Sequence, residues 1–258
     1  MQIAKPLKPF LICLHRLISQ IIDPILVFRG IANYFKFFVD WQRYKVLPGA
    51  EQLNVRDAYP QLHDCTSTTT IDYHYYYTNG WAMRRVVATS PRTHTDISSQ
   101  VIFSNLLASV LPVEFLDYRP IKVNLSGLRC TAGSILELPY NDQSLASVSC
   151  LHVIEHIGLG RYGDPLDPEG SMKAARELKR VLAYDGNLFL AVPVGRSKVC
   201  FNAHRVHSVQ EIVKMFTGLE LIELSGVHDD GRFVERVDLD EFSTSEYACG
   251  FFWFQKQK

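Results

Sequence analysis

The chain of 258 residues carries no net charge: 27 Lys and Arg stand against 27 Asp and Glu. Dedicated nucleic-acid binders are basic overall, so no nucleic-acid partner is expected. Paired cysteines are also missing. Cys13, Cys65, Cys130, Cys150, Cys200 and Cys249 are too widely spaced to form any CxxC metal or redox motif. Reduced, largely buried thiols in a cytoplasmic protein are expected instead. No run of about 18 uncharged apolar residues occurs, which argues against a simple transmembrane helix. The apolar stretch 10–14 is too short for the core of a secretory leader, and no small-residue cleavage site follows it. Repeats and low-complexity tracts are absent. With 47% hydrophobic and 21% charged residues, the chain belongs with ordinary globular proteins.

The zero is unevenly distributed. Residues 1–47 hold seven basic residues (Lys5, Lys8, Arg16, Arg29, Lys36, Arg43, Lys45) against Asp23 and Asp40, a net +5, which leaves −5 for the rest. The same segment is crowded with Ile25, Leu26, Val27, Phe28, Ile31, Tyr34, Phe35, Phe37, Phe38 and Trp41. Pro24 fits a helix start and breaks an interior, so two helices are expected, one on either side of it. A basic, aromatic, amphipathic extension of this kind either packs on the main domain or lies on an anionic membrane surface, a peripheral membrane contact.

Residues 48–92 read as a connecting segment packed on the core. Their Tyr73-His74-Tyr75-Tyr76-Tyr77 run is a strand or helix edge with hydroxyls reaching water, or a set of stacking platforms. From residue 93 to 258, strand and helix patterns alternate. Short apolar runs at 93–97, 113–117, 129–132, 145–151, 187–192, 219–224 and 247–254 read as strands. Helical spacing fills 99–110. Asp167-Pro168 reads as the start of a helix reaching about residue 182, and Ser208-x-x-Glu211 as a capping box. The pattern predicts an α/β fold: a doubly wound, mostly parallel seven-stranded sheet with ligands at its carboxyl edge.

Four signals carry chemistry. Asp96 and Asp117 each end a predicted strand, and a carboxylate after the second strand of such folds accepts hydrogen bonds from both ribose hydroxyls of a nucleotide. His152-Val153-Ile154-Glu155-His156 matches the inverted zincin pattern, which would make a zinc hydrolase if both histidines shared a helix face. A strand ending near 151 and glycines at 158, 160 and 163 leave little room for that helix, and no metal is expected. Gly158-Leu159-Gly160-Arg161-Tyr162-Gly163 is a literal G-x-G-x-x-G, but Asp164 to Pro168 separate it from any helix. It reads as a lid or substrate loop, with Arg161 and Tyr162 toward the substrate. Finally the 196–207 loop is basic, and His204-Arg205 before a helix start suits a negatively charged or hydroxyl-rich partner.

Taken together, these residues resemble class I methyltransferase-like domains dependent on S-adenosylmethionine. They look most like an uncharacterised bacterial family marked by the 151–164 phrase, LHVIEHIGLGRYGD. The 138–145, 155–157, 180–182 and 185–188 segments are similar to the wider superfamily pattern, over about residues 70–256. The resemblance implies S-adenosylmethionine as cofactor. Asp96 would precede the cofactor-binding loop with Ser98 and Ser99, and Leu151 and His152 would approach the methionine end. Asp117 would hold the ribose, and Gly133, Ser134 and Ile135 would line the adenine. His156 would act as base, oriented by Glu155, on a small-molecule or glycan-type acceptor. Two positions depart from the superfamily. Ile97-Ser98-Ser99-Gln100 replaces a glycine-rich loop, where side chains cost space beside the cofactor. Serine at 134 replaces an acid. Both departures predict weaker cofactor binding, and they leave a second reading, a binding or scaffold domain without catalysis.

Overall fold

The computed structural model describes residues 7–258; residues 1–6 of the extension, Lys5 included, lie outside it, as do the side chains of residues 7–10, Cys13 and Arg16. The chain forms two compact units, 1–70 and 71–258. The division falls within the 48–92 segment.

The first unit holds α1 (Leu7–Ile18) and α2 (Pro24–Lys45). Pro24 does separate them. Asp23 caps α2 through a carboxylate oxygen that accepts from the Ile25 and Leu26 amides at 2.9 and 3.1 Å. Proline follows at the first helical position, where its missing N–H costs nothing.

The second unit contains α3 (Tyr73–Thr89), β1 (His94–Ile97), α4 (Val101–Ala108), β2 (Val113–Asp117), β3 (Leu128–Ala132) and β4 (Leu145–Leu151). It continues with α5 (Gly170–Val181), β5 (Leu182–Val194), β6 (Lys198–Cys200), β7 (His204–Val206), α6 (Val209–Met215), β8 (Glu220–Val227), β9 (Phe233–Val234) and β10 (Ala248–Gln255). The main sheet runs β3-β2-β1-β4-β5-β10-β8-β9. The first five strands are parallel, and β10 runs antiparallel between β5 and β8. The sheet therefore has eight strands rather than the expected seven. The extra one is β9, a two-residue strand paired with the end of β8. Between β1 and β4 the strand order reverses, which opens a crevice at their carboxyl ends.

Apolar patterning explains the layers. Residues 147–151 of β4 and 188–194 of β5 are buried throughout, as central parallel strands must be. Ala174, Ala175, Leu178 and Val181 of α5 join Ile212 of α6 in one core cluster. Trp81 and Val86 of α3 and Phe103 and Leu107 of α4 join Phe189 and Phe251 in another. The helix expected to start at Asp167-Pro168 begins at Gly170 instead, because Asp167 spends its carboxylate on the Glu169 amide in a preceding turn. Ser208 and Glu211 form the expected capping box of α6.

The Tyr73–Tyr77 run is helical, and α3 is pinned at its middle. Arg85 forks onto Glu223 of β8 at 2.9 and 2.8 Å, and the Trp81 indole N–H donates to the same carboxylate at 2.8 Å. Glu223 is almost fully buried, so this bidentate pair has little competition from water. It holds the N-terminal end of α3, and Tyr75 with it, over the carboxyl edge of the sheet.

Candidate active site

Two left-handed residues flank the crevice. Ser98 follows β1 with φ of 56°, and His152 follows β4 with φ of 58°. Each costs on the order of 1 kcal/mol for a residue with a side chain. Ser98 thus adopts a left-handed backbone that glycine takes at no steric cost. Its hydroxyl donates to the Leu116 carbonyl at 3.2 Å. Ser99 turns inward, donating to Asp96 at 2.5 Å and accepting the Leu151 amide at 3.0 Å. The Gln100 amide oxygen accepts from Asn79 at 2.8 Å. The three side chains that replace glycine are thereby tied to the walls.

Asp96 is fully buried beside Ser149, its register partner on β4. One carboxylate oxygen accepts from Ser99 and from Ser149 at 2.6 Å; the other has no partner. Burial pushes this carboxyl up to about 7 despite the two hydroxyls. Behind it, His94 bridges Ser147 and Ser149 at 2.7 and 2.8 Å, and burial pushes its imidazole down to about 3. With Ser149 donating to Asp96, neutral His94 donates from Nε2 and accepts at Nδ1. Asp96 therefore supports the loop from beneath.

A cavity of about 490 Å³ opens at this switch point, lined by Ser98, Ser99, Asp117, Ser134, Leu151, His152 and Tyr162 among others. That volume suits a small-molecule site, typically roughly 300–1,000 Å³. Asp117 is half-buried at the end of β2, with one oxygen accepting the Arg119 amide at 2.6 Å. Gly133 does not line this cavity. It packs behind the wall, where an added Cβ would meet Leu116 at 2.7 Å, and Ser134 and Ile135 face the cavity instead. The Arg119 guanidinium lies 4.5 Å from the Tyr162 ring centre at the rim.

A second cavity of about 450 Å³ adjoins the first, with Tyr75, His152 and His156 lining both. Its walls carry linked rings. His74 lies 5.1 Å from Tyr247, and Tyr247 lies 5.0 Å from His204. Asp72 and Asp229 also line it, yet both serve the backbone. Asp72 caps α3, and Asp229 accepts from the Glu246 and Tyr247 amides. Glu155 is different. It is 1% exposed, with Oε1 3.5 Å from His152 Nδ1 and 3.7 Å from His156 Nε2, and its Oε2 has no partner. Burial pushes its carboxyl up, but the two histidines outweigh that and hold it below the usual range. Burial also opposes a charged His152, which Cys249 and Glu155 outweigh, raising it to about 10. His152 Nε2 reaches Thr78 at 3.2 Å. Tyr75, its ring 4.7 Å from His152, is pushed up to about 12 by burial and by Glu155.

His156 Nδ1 lies 2.6 Å from the Ala203 carbonyl, so Nδ1 carries a proton and donates it there. The Ala203 carbonyl, rather than Glu155, orients the ring. The zinc reading fails on these bonds. The two histidines sit in a bend and a turn, not on one helix face, and His152 Nε2 and His156 Nδ1 are engaged by Thr78 and Ala203. Among the described residues no group of three or more His, Cys, Asp or Glu is placed to hold a metal ion.

The remaining expectations divide. Arg161 and His204 line the second cavity, with the Arg161 guanidinium bonded to the Ala203 carbonyl at 3.1 Å. Arg205 lines neither cavity. It is buried and donates to the Ile157 and Asp167 carbonyls at 2.6 and 3.2 Å, clamping the loop between them. The G-x-G-x-x-G loop is folded on itself: Asp164 accepts the Gly158 amide at 2.7 Å, and a Cβ on Gly158 would meet the Asp167 carbonyl at 2.1 Å. It cradles nothing. Arg196 and Lys198 spend their charge on Glu246 at 2.9 and 2.8 Å. Sequence reasoning missed Tyr75, His74 and Tyr247 as wall residues; the tyrosine run was the available signal for the first two.

Comparison with solved structures settles the fold. The N-methyltransferase NodS from Bradyrhizobium japonicum WM9, solved with S-adenosyl-L-homocysteine, superposes with a TM-score of 0.51 at 14% identity, covering 71% of this chain and 87% of NodS. The chain has the fold of the S-adenosylmethionine-dependent methyltransferases. The protein held by the Haloferax volcanii Trm112 methyltransferase activator gives 0.51 at 15% identity, covering 72% and 90%. SpnF, a [4+2]-cyclase, gives 0.52 at 11% identity, covering 70% and 81%. A cyclase among the neighbours shows that this fold does not dictate one reaction. One family model, described as "Caenorhabditis protein of unknown function, DUF268", matches residues 136–243. The 151–164 phrase lies inside that match, whose description is not the bacterial family expected from it. No curated protein matches the chain.

Proposed function

We propose that residues 71–258 form an S-adenosylmethionine-dependent methyltransferase acting on a small-molecule or glycan-type acceptor. The observation that carries this reading is the pair of cavities sharing Tyr75, His152 and His156 at the carboxyl edge of the sheet. Methyl transfer needs two ligands to meet end to end, as they would where such cavities adjoin.

The residues of the first cavity fit the cofactor. Asp117 would accept the ribose hydroxyls with its unengaged oxygen. Ser134 and Ile135 would flank the adenine. Ser98, Leu151 and His152 would bound the methionine end, with Ser99 and Asp96 holding the loop open from beneath. Bound S-adenosylmethionine supplies an electrophilic methyl group. The chain's own groups do the rest. The acceptor lies in the second cavity, against the paired rings of His204 and Tyr247, with Arg161 at the mouth. Glu155, buried on the cavity wall beside both histidines, supplies the negative charge on which the proton transfer draws. His156 holds its Nδ1 proton on Ala203, which leaves Nε2 to take the acceptor's proton, and Glu155 stabilises the resulting imidazolium. Tyr162 and Arg119 close the rim of the first cavity against water.

Titration calorimetry with S-adenosylmethionine tests the proposal. Saturable one-site binding is expected, weakened by Asp117→Ala. Absence of heat at millimolar cofactor would overturn it in favour of a domain that has lost its cofactor.

A further inference from the structure

The second unit leaves α2 unexplained. One side of this helix is covered within its own unit. Gly30 is buried against Leu62 and His63, and Asn33 donates to the Leu62 carbonyl at 2.5 Å. Another side is bare. Phe28, Ile31, Phe35 and Phe38 are 81%, 67%, 75% and 60% exposed. At about 100° per residue these four fall within about 80° of one another, a stripe about 15 Å long. Exposed apolar patches of this kind mark an interaction surface.

The flanking charge indicates what covers it. Arg29, Lys36 and Arg43 fall within about 40° of one another on the same wheel, beside the stripe. All three are exposed. Asp40 pairs with Lys36 at 2.5 Å and approaches Arg43 to 4.0 Å, which leaves the row in positive surplus. A second copy of the helix laid on the stripe would double that surplus. An anionic surface would neutralise it while burying the phenylalanines. Among the described residues no helix is long and apolar enough to cross a membrane, so the helix would lie in the interface plane.

We propose that α2 is a membrane-surface helix that seats Phe28, Ile31, Phe35 and Phe38 in the acyl boundary of anionic phospholipid, with Arg29, Lys36 and Arg43 against the headgroups. Aromatic side chains enter the bilayer boundary and cations add attraction to anionic lipid, so both sets are required.

Flotation of the full chain with phosphatidylserine-containing vesicles tests it, against vesicles of phosphatidylcholine alone. The chain should float with the former and stay with the soluble fraction in the latter, and raised salt should release it. A Phe28→Ser, Phe35→Ser double variant should lose at least about tenfold in partitioning. An Arg29→Gln, Lys36→Gln, Arg43→Gln triple variant, which leaves the apolar stripe intact, should lose a comparable amount. Circular dichroism of both variants checks the helix. Failure of the full chain to float, equal flotation on both vesicle types, or a sedimenting dimer dispersed by the phenylalanine changes would each overturn the proposal.

Discussion

The two cavities at the sheet edge share a wall and differ in how they spend their polar groups. In the larger one, Ser98, Ser99 and Gln100 are all bonded to protein, and Asp117 keeps one oxygen in reserve. In the smaller one, Asp72 and Asp229 are bonded to backbone, and Glu155 is left with a buried, unpartnered oxygen between two histidines. The first is a preformed mould whose polar side chains hold its shape. The second keeps a charged group under tension, at the place where a proton would have to move.

Substitutions that separate the cavities should test this difference. The largest effect is expected from Glu155→Gln. Removing one member of a buried charged set costs about 3 kcal/mol of unfolding free energy, read by urea denaturation. Affinity for S-adenosylhomocysteine should change little. A pH signature accompanies it. His152 is raised from 6.5 to about 10, so its pairing stabilises the wild type fully below 6.5 and fades as pH climbs toward 10. In Glu155→Gln that alkaline loss should shrink.

Asp117→Ala should do the reverse. A hydrogen bond to a charged group is worth about 2 kcal/mol, so cofactor affinity should fall about tenfold to a hundredfold by calorimetry, with unfolding nearly unchanged. Equal losses in both assays would collapse the distinction between a mould and a charged site.

Asp96→Asn probes the support beneath the loop. Its carboxyl is raised from 3.8 to about 7, so the wild type loses stability as pH rises through that window. The cost of the variant should be smaller at pH 8 than at pH 5, by roughly 2–3 kcal/mol in urea midpoints converted to free energy. The smallest change is expected for Ser98→Gly. It relieves a left-handed φ and loses one hydroxyl bond and some unfolded-state stiffness, so stability should move by less than about 1 kcal/mol.

The alternation of strands and helices after residue 93 was legible because its periods are those of buried strands and amphipathic helices. β9 was not, since Phe233 and Val234 are too few to show any period. Asp117 was legible from its position after an apolar run. The loop after β1 was legible only by composition: no pattern says that Ser98 takes a left-handed turn or that Ser99 and Gln100 are tied away. Arg205 was misplaced because a guanidinium beside a helix start reads the same whether it faces solvent or loop carbonyls. Glu155 could be singled out from its place after an apolar strand, but its unpartnered oxygen and the Ala203 carbonyl that holds His156 belong to the fold, since Ala203 lies in a distant loop. The tyrosines of α3 were visible, and their place over the crevice depends on the buried Arg85–Glu223 pair.

The central claim, that one cavity takes the cofactor and the other its acceptor, is tested most directly by a crystal structure of the full chain with S-adenosylhomocysteine. The account predicts the ligand in the larger cavity, its ribose on Asp117 and its sulfur end toward His152 and His156, with Glu155 still buried beside its histidines and untouched by the ligand. Ligand density seated instead on Glu155 in the smaller cavity, with Asp117 untouched, would contradict it.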